Sequence, residues 1–443
     1  MSLVLEQLAP RCLHPPLWLR RAAVCGCTGL QQCTSVASRQ NLEAKSHVCA
    51  AATGSANLGG DVVQFTEDHE HFRRTARGVL AREVDPYVDQ WEEAGAFPAH
   101  QVFAALGSAG LLGVEYDPAY GGQGADHSYT VVLGEELGRI GCGGVPMAIS
   151  VQTDMATPAL HRFGTHELKE RYLSPALRGE MVASIAVTEP DAGSDVAAIR
   201  TRAVRGGDQW VINGSKLYIT NGTQADWLCL LVRTSDEGGY RGMSQIVFPT
   251  DTPGFSVSRR LRKLGNRSSD TAELSFVDAR VPLSNTIGEV GRGFQQQMAQ
   301  FQNERMIAAY VSVGAMSAAL EKTAAYLRQR HVFGAPVLAN QYVQFRLAEL
   351  SAELDLLRHY TYACAEAYLR GEDTTRFATI AKLKAGRLQR EIADWCLQFH
   401  GGVGYMEETW VSRYFRDGRL LSIGGGADEV MLRTLARLDS LEA

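Results

Sequence analysis

The stretch QFQNERMIAAYVSVGAM, residues 300–316, carries a carboxylate where a helix calls for carbon. Phe301, Glu304, Ala308, Val311 and Ala315 recur at spacings of three and four, so they share one helical face. Four of these five are apolar, and Glu304 interrupts them with Arg305 beside it. Two chemistries suit that placement. An adjacent or facing arginine can neutralise the carboxylate in a structural ion pair. Alternatively, apolar surroundings disfavour its charged form, raise its pKa and make it a general base. This segment alone leaves both open.

Three other stretches carry polar or glycine-rich patterns. AVTEPDAGSDVAA (186–198) joins small residues and hydroxyls in a loop that could approach phosphates, although such loops are also ordinary turns. YITNG (218–222) ends a strand with a hydroxyl and an amide. QFHGGVGYMEE (398–408) is a glycine-rich break between helices that permits close backbone approach. Among the other acids, Glu189 is expected to shape its loop, and Asp428 and Glu429 to point away from the glycines before them. Glu407 and Glu408 read as a solvated helix start. His69 and His71 are expected to be exposed on the first helix.

The elements that position these residues follow from changes in period. Thr66 can cap a helix, Glu67 and Asp68 suit its N-terminus, and Phe72, Ala76, Val79 and Leu80 form its apolar stripe. QVFAALGSAGL, SYTVVLGEELGRI and ELKERYLSPALRG continue the helical pattern, with YGGQGAD as a glycine-rich connection, through residues 61–180. Strands are expected over 181–288: QWVINGSKLYIT as two strands about an Asn213-Gly214 turn, then DWLCLLVR, SQIVFP, GFSVS and AELSFVDARVP. Long helices return from Gly293, giving a helical region at 289–443. Segregated helices and strands make an α+β protein. A doubly wound dinucleotide fold would alternate them, and no G-x-G-x-x-G occurs.

Composition narrows the class. The chain has 443 residues, 45% hydrophobic and 21% charged, with a net charge of −5. That balance gives no sign of nucleic-acid binding, and no apolar run approaches the ~18 residues that cross a bilayer. Of nine cysteines, Cys142, Cys229, Cys364 and Cys396 lie in the body and read as buried thiols. No C-x-x-C pair or histidine spacing suggests a metal site. Residues 1–60 differ from the rest: Arg11, Arg20, Arg21 and Arg39 stand among Leu, Ala, Ser and Cys, with Glu6 and Glu43 the only acids. That pattern predicts a mitochondrial transit peptide and a matrix location.

In order and spacing, VTEPDAGSD, KLYITNG, KLGNRSSDTAELSFVDARVP, RQRHVFG with Gln341 downstream, and QFHGGVGY resemble the acyl-CoA dehydrogenase family, from about Val62 to the C-terminus. The resemblance implies an N-terminal helical domain, a central antiparallel β domain and a C-terminal four-helix domain. It also implies bound FAD. Val187, Thr188, Ser194, Tyr218, Ile219 and Thr220 would hold the flavin, with Thr220 near N5 and Tyr218 in place of a common Trp. Arg330, Phe333, Gln341, Gln398, Gly401 and Gly402 would reach the FAD of a neighbouring subunit, which implies a homodimer or homotetramer. Ala427 and Glu429 would complete the cofactor contacts.

The implied reaction removes an α-proton from an acyl-CoA while the β-hydrogen leaves as hydride to the flavin. Electrons then pass to electron-transferring flavoprotein. Many members carry the base in a C-terminal stretch resembling Y-E-G-T-S, but here the matching position is Gly425. The isovaleryl- and long-chain-type members carry it on a central helix, in a stretch that QNERMIAA matches at Glu304. Ser194, Gln302, Arg305, Gly425 and Gly426 would bind substrate, with the Gly425 backbone N–H facing the thioester carbonyl. Ala427-Asp428 stands where the family usually has Thr-Ser, which removes a hydroxyl and adds a charge near FAD. Gln302 replaces a common acid. An acyl-CoA oxidase and a non-catalytic flavin- or acyl-CoA-binding assembly subunit are the alternatives. Acyl chain length is not legible from these residues.

Overall fold

The computed structural model describes residues 62–441, so the expected transit peptide lies outside the described residues. α1 (Glu67–Glu83) begins in a reciprocal cap. The Thr66 backbone N–H donates to His69 Nδ1 at 3.1 Å, and the Thr66 hydroxyl meets the same nitrogen at 2.8 Å. His69 is therefore buried, contrary to expectation. Its Nε2 pairs with the Ser128 hydroxyl at 2.7 Å and its ring stacks on Tyr129, while His71 is exposed.

The N-terminal helices continue as α2 (Val88–Ala94), α3 (Ala99–Ser108), α4 (His127–Gly138) and α5 (Gly144–Ser150). A π-helical turn, Val151–Ala156, leads into α6 (Thr157–Phe163) and α7 (His166–Leu168), and a second, Lys169–Leu173, leads into α8 (Ser174–Leu177). Leu80, Phe103, Leu106, Val145 and Ile149 form a core common to α1, α3 and α5, while Leu160, Leu168 and Leu177 place α6–α8 in a second cluster.

Eight strands follow: β1 (Ala183–Ala186), β2 (Arg202–Gly206), β3 (Gln209–Thr220), β4 (Trp227–Arg233), β5 (Met243–Pro249), β6 (Phe255–Arg260), β7 (Thr271–Pro282) and β8 (Thr286–Ile287). They form one sheet in the order β6-β7-β3-β2-β4-β5-β8, with β1 alongside β4. Pairing is antiparallel except for β1 and β2 against β4, which are parallel, so the sheet is mixed. β4 is apolar without alternation because both faces are covered. Leu228 and Leu230 pack with Phe248 and Leu274 on one side, and Trp227 and Cys229 with Leu160 and Leu173 on the other.

QWVINGSKLYIT is one strand, not a hairpin. The two-residue turn falls earlier, at Gly207-Asp208, between paired Gly206 and Gln209. Asn213-Gly214 runs through the sheet opposite a bulge in β7, where Asn213 Nδ2 donates to Asp278 Oδ1 at 3.0 Å. An Asn-Gly pair suits a bulge as well as a turn.

The C-terminal part is built on α9 (Gly293–Gln329), 37 residues long. A small antiparallel pair, β9 (His331–Val332) and β10 (Ala335–Pro336), precedes α10 (Gln341–Leu369) and α11 (Thr375–His400). A 3₁₀ turn over Gly401–Tyr405 leads to α12 (Trp410–Gly418), and α13 (Asp428–Leu438) ends the fold. Glu407 and Glu408 lie before α12 rather than in its first turn. Thr409 caps that helix, and Glu407 pairs with Arg267. Cys142, Cys229, Cys364 and Cys396 are free and buried, as expected. Among the described residues no helix is long and apolar enough to cross a membrane.

α4 and α9 approach closely because small residues face each other. A methyl group added at Gly314 would run into the Glu135 carbonyl, and one at Gly138 into that of Val311. Backbone cannot step aside as a side chain can. Gly314→Ala is therefore expected to cost about 1–3 kcal/mol, an overpacking penalty read as a lower denaturant midpoint. An unchanged midpoint would mean the two helices part without cost.

Candidate active site

Glu304 lies on α9 and is 7% exposed. Its Oε1 is buried with no hydrogen-bond partner. Burial pushes the carboxyl up to about 8; Gln300, one turn earlier, and Arg305 moderate the shift, while Asp154 adds to it. Among the described residues no ion pair joins Glu304 to Arg305. The Arg305 guanidinium is itself pushed down by burial, and its Nε is buried and unpartnered. The ion-pair alternative therefore lacks its geometry.

Glu304 is not alone in this. Gln296 Oε1, Gln297 Nε2, both amide atoms of Gln300 and Asn303 Oδ1 are also buried without partners. Buried polar groups in a finished core are nearly always paired. Such a run along the first four turns of α9 marks a surface shaped for something polar. The glutamines and Asn303 escaped the sequence reading because polar residues on a helix usually face water. Their density in GFQQQMAQFQNER was the available signal.

Two cavities flank the helix. A polar one of about 580 Å³ is lined by Gln300, Gln302, Asn303, Asp154 and Arg162 among others. A smaller one of about 130 Å³ is apolar, with Met147, Met155, Ala308, Val311 and Ala315 in its walls. Ile307, one turn after Glu304, lines both. The stripe of Ala308, Val311 and Ala315 is thus half-buried cavity wall rather than core. Gln302 Nε2 donates to Thr375 Oγ1 at 2.5 Å, so it ties α9 to the start of α11.

Gly425 and Gly426 occupy a left-handed turn before α13, with φ of 61° and 93°. Open space surrounds the Gly425 Cα. Lys382 of α11 donates to the Gly426 carbonyl, and its ammonium, pushed down to about 8 by burial, feels Arg305, Asp428 and Glu429. Asp428 is buried and faces Arg387 and Arg390, at 3.5 and 3.9 Å, so its charge is turned toward α11. Ala427 precedes α13 as its N-cap, and Glu429 is exposed in the first turn.

The loop after β1 is fixed from beneath. Lys216, fully buried in β3, donates to the Val187 carbonyl at 2.8 Å and to Glu189 Oε1 at 2.9 Å. Glu189 in turn accepts from the backbone N–H groups of Arg200 and Thr201 at 2.6 and 2.9 Å. Glu189 shapes its loop as expected, whereas Lys216 was overlooked because a strand lysine normally faces solvent. Leu217 N–H donates to the Thr188 carbonyl at 2.8 Å, which fastens Thr188 next to Tyr218.

The residues expected to hold FAD lie at the end of β3 and in the loop after β1. Tyr218 has φ 63°, unusual for a side chain of its size, and its ring is 66% exposed at the strand end. Ile219 and Val187 are buried beneath, Thr188 and Thr220 are half-buried, and Ser194 is exposed in the loop. The second group lies elsewhere. Arg330, Phe333, Gln341, Gln398, Gly401 and Gly402 are all exposed around the ends of α9, α10 and α11, and Phe333 is fully exposed at φ 51°. Among the described residues no group of His, Cys, Asp and Glu could hold a metal ion.

Comparison with known proteins identifies the family. Family models described as the N-terminal, middle and C-terminal domains of acyl-CoA dehydrogenase match residues 66–180, 184–279 and 291–438. The long-chain specific acyl-CoA dehydrogenase of Rattus norvegicus mitochondria is 35% identical, covering 84% of this chain and 86% of that protein. A crystal structure of acyl-CoA dehydrogenase from Geobacillus kaustophilus is 38% identical with TM-score 0.82, covering 86% of this chain and 100% of that one. A chain in the structure of the electron transferring flavoprotein of Acidaminococcus fermentans is 30% identical with TM-score 0.82, covering 86% and 99%. With all three domains matched in order, this chain belongs to the acyl-CoA dehydrogenase family and is a flavin-linked, FAD-dependent oxidoreductase.

Proposed function

We propose that the chain desaturates an acyl-CoA to its trans-2-enoyl-CoA, with Glu304 taking the α-proton. The observation that carries this is the buried, unpartnered Oε1 of Glu304 on a helix whose Asn303 and Ile307 line the two cavities, in a chain whose position 425 is glycine. A buried carboxyl with a raised pKa takes a proton readily once ionised. FAD, when bound, accepts the hydrogen and electron pair that leave the β-carbon. Thr188, Tyr218 and Thr220 would hold it, with Val187, Ile219 and Ser194 completing that wall.

The protein's own part is orientation and polarisation. The two cavities, which share Ile307, suit the acyl group, and Gln302 and Arg305 would face the CoA arm. The Gly425 N–H would face the thioester carbonyl and favour charge on its oxygen as the α-proton leaves. The apolar walls support a medium-to-long or branched acyl group.

Electron-transferring flavoprotein is the proposed electron acceptor, supported by the likeness to a chain in the Acidaminococcus structure. A homo-oligomer is supported by the exposed Val332, Phe333, Tyr342 and Phe345, which leave an apolar surface near α10. Sedimentation of the purified protein at a monomer's mass would overturn that. Relatives come from mitochondria and from bacteria, so a matrix location rests on residues 1–60 alone. Import of a reporter fused to those residues checks it.

The test of the reaction is anaerobic mixing of the FAD-loaded protein with straight and branched acyl-CoAs. The flavin band at roughly 450 nm is expected to bleach rapidly with one class. A flavin-loaded sample that bleaches with none overturns the proposal.

A further inference from the structure

The wall between the two cavities carries a second carboxyl. Asp154 sits in the π-helical turn Val151–Ala156, a geometry often found at functional sites. Its side chain lines the polar cavity, while Ser150 and Met155 on either side line the apolar one. Thr153 Oγ1 donates to Asp154 Oδ2 at 2.8 Å, and the Ser150 hydroxyl is a polar neighbour. Among the described residues no cation forms an ion pair with it. His127, whose charge would ease it, is engaged by Glu115 Oε1 at 2.6 Å and by the Tyr310 hydroxyl at 3.2 Å.

A carboxyl in this position has few explanations within the protein. Burial raises its pKa to about 7, and its charge reaches Glu304. Glu304 Oε1 is itself unpartnered and buried on the facing helix. A plain hydrocarbon passing Asp154 would leave the carboxyl with only its Thr153 and Ser150 neighbours, which is costly for a buried charge. A chain bearing a donor at that level would add a hydrogen bond.

Resting on the dehydrogenase reading for the thioester itself, we propose that Asp154 is a specificity-determining residue. The acyl group this chain takes carries a hydrogen-bond donor, a hydroxyl or an ammonium, that meets the Asp154 carboxyl between the two cavities. Sites built to pair a substrate's polar hydrogen discriminate strongly against analogues lacking it.

Binding can be read without turnover, using S-alkyl-CoA thioethers, which lack the carbonyl that makes the α-proton acidic. A plain S-alkyl-CoA is compared by calorimetric titration with counterparts of equal length carrying hydroxyl or amino groups at successive carbons beyond the β-position. The wild-type FAD-loaded protein is expected to bind at least one donor-bearing analogue about tenfold more tightly than the plain one. Asp154→Leu is expected to reverse that order. Asp154→Asn, the gentler change, keeps the preference for hydroxyl and loses that for ammonium. Plain binding as tight as every donor-bearing analogue in the wild type overturns the inference, even where plain acyl-CoA bleaches the flavin and the dehydrogenase reading stands. Failure of every CoA thioether to bind overturns both.

Discussion

Glutamine at position 304 is expected to lower kcat for acyl-CoA dehydrogenation by about 10²–10⁴-fold, the usual contribution of a positioned base. The amide keeps the shape of the side chain but cannot accept the α-proton, so FAD loading and binding of a thioether analogue should stay near wild type. In the wild type, kcat/KM for the free enzyme should rise with pH through about 8, the value to which burial pushes the carboxyl. Residual turnover in Glu304→Gln should lose that limb. Stability moves the other way. The folded pKa, about 8, exceeds the ordinary 4.5, so across that window the folded chain holds a proton that the unfolded chain has released. Wild-type stability therefore falls as pH rises from about 4.5 to about 8. Glu304→Gln removes that slope, and should be more stable than wild type by about 4 kcal/mol at pH 8, with the gain gone near pH 4. Wild-type turnover in the variant would falsify the assignment. Loss of thioether binding together with turnover would instead point to a collapsed cavity.

The same residue shows how far sequence reached. A carboxyl at helical spacing among Phe301, Ala308, Val311 and Ala315 announces burial, because a helix turns its faces at a fixed period. What it faces is a property of the tertiary fold. Only there do Ala308, Val311 and Ala315 become cavity wall, with Ile307 shared by two cavities. The strand regions were legible from β-branched and aromatic runs, yet Asn213-Gly214 misled because the same dipeptide serves a turn and a strand crossing a bulge. Gly207-Asp208 makes the turn instead. His69 misled for a related reason: a histidine between two charged helical positions reads as solvated until Ser128 and Tyr129 arrive from α4. Gln296, Gln300 and Asn303 show the limit most clearly. Each is unremarkable on a helix, and only the buried side-chain atoms they leave without partners in the folded chain set them apart.

Methionine at position 216 is expected to cost about 3–5 kcal/mol, the penalty for leaving one member of a buried ion pair without its partner. Lys216 is wholly inaccessible, and Glu189 is 7% exposed. Burial opposes the charge of both, yet the lysine's attraction and the hydrogen bonds from Arg200 and Thr201 hold the Glu189 carboxyl below its usual range. Removing the ammonium leaves that carboxylate with backbone donors only and deprives the Val187 carbonyl of its donor. Both losses fall on the loop that carries Thr188 and Ser194. The flavin-to-protein ratio after purification should therefore drop along with the denaturant midpoint. Lys216→Met combined with Glu189→Gln should recover part of the stability, since no buried charge is then left uncompensated. It should recover less of the flavin, because an amide offers one acceptor oxygen where the carboxylate gave two to Arg200 and Thr201. A single variant with full flavin and an unchanged midpoint would mean the loop is held from elsewhere. Equal recovery of stability and flavin in the double variant would mean the pair acts through charge alone. Unequal recovery separates the stability of the sheet from the shape of the loop, which is the part the cofactor meets.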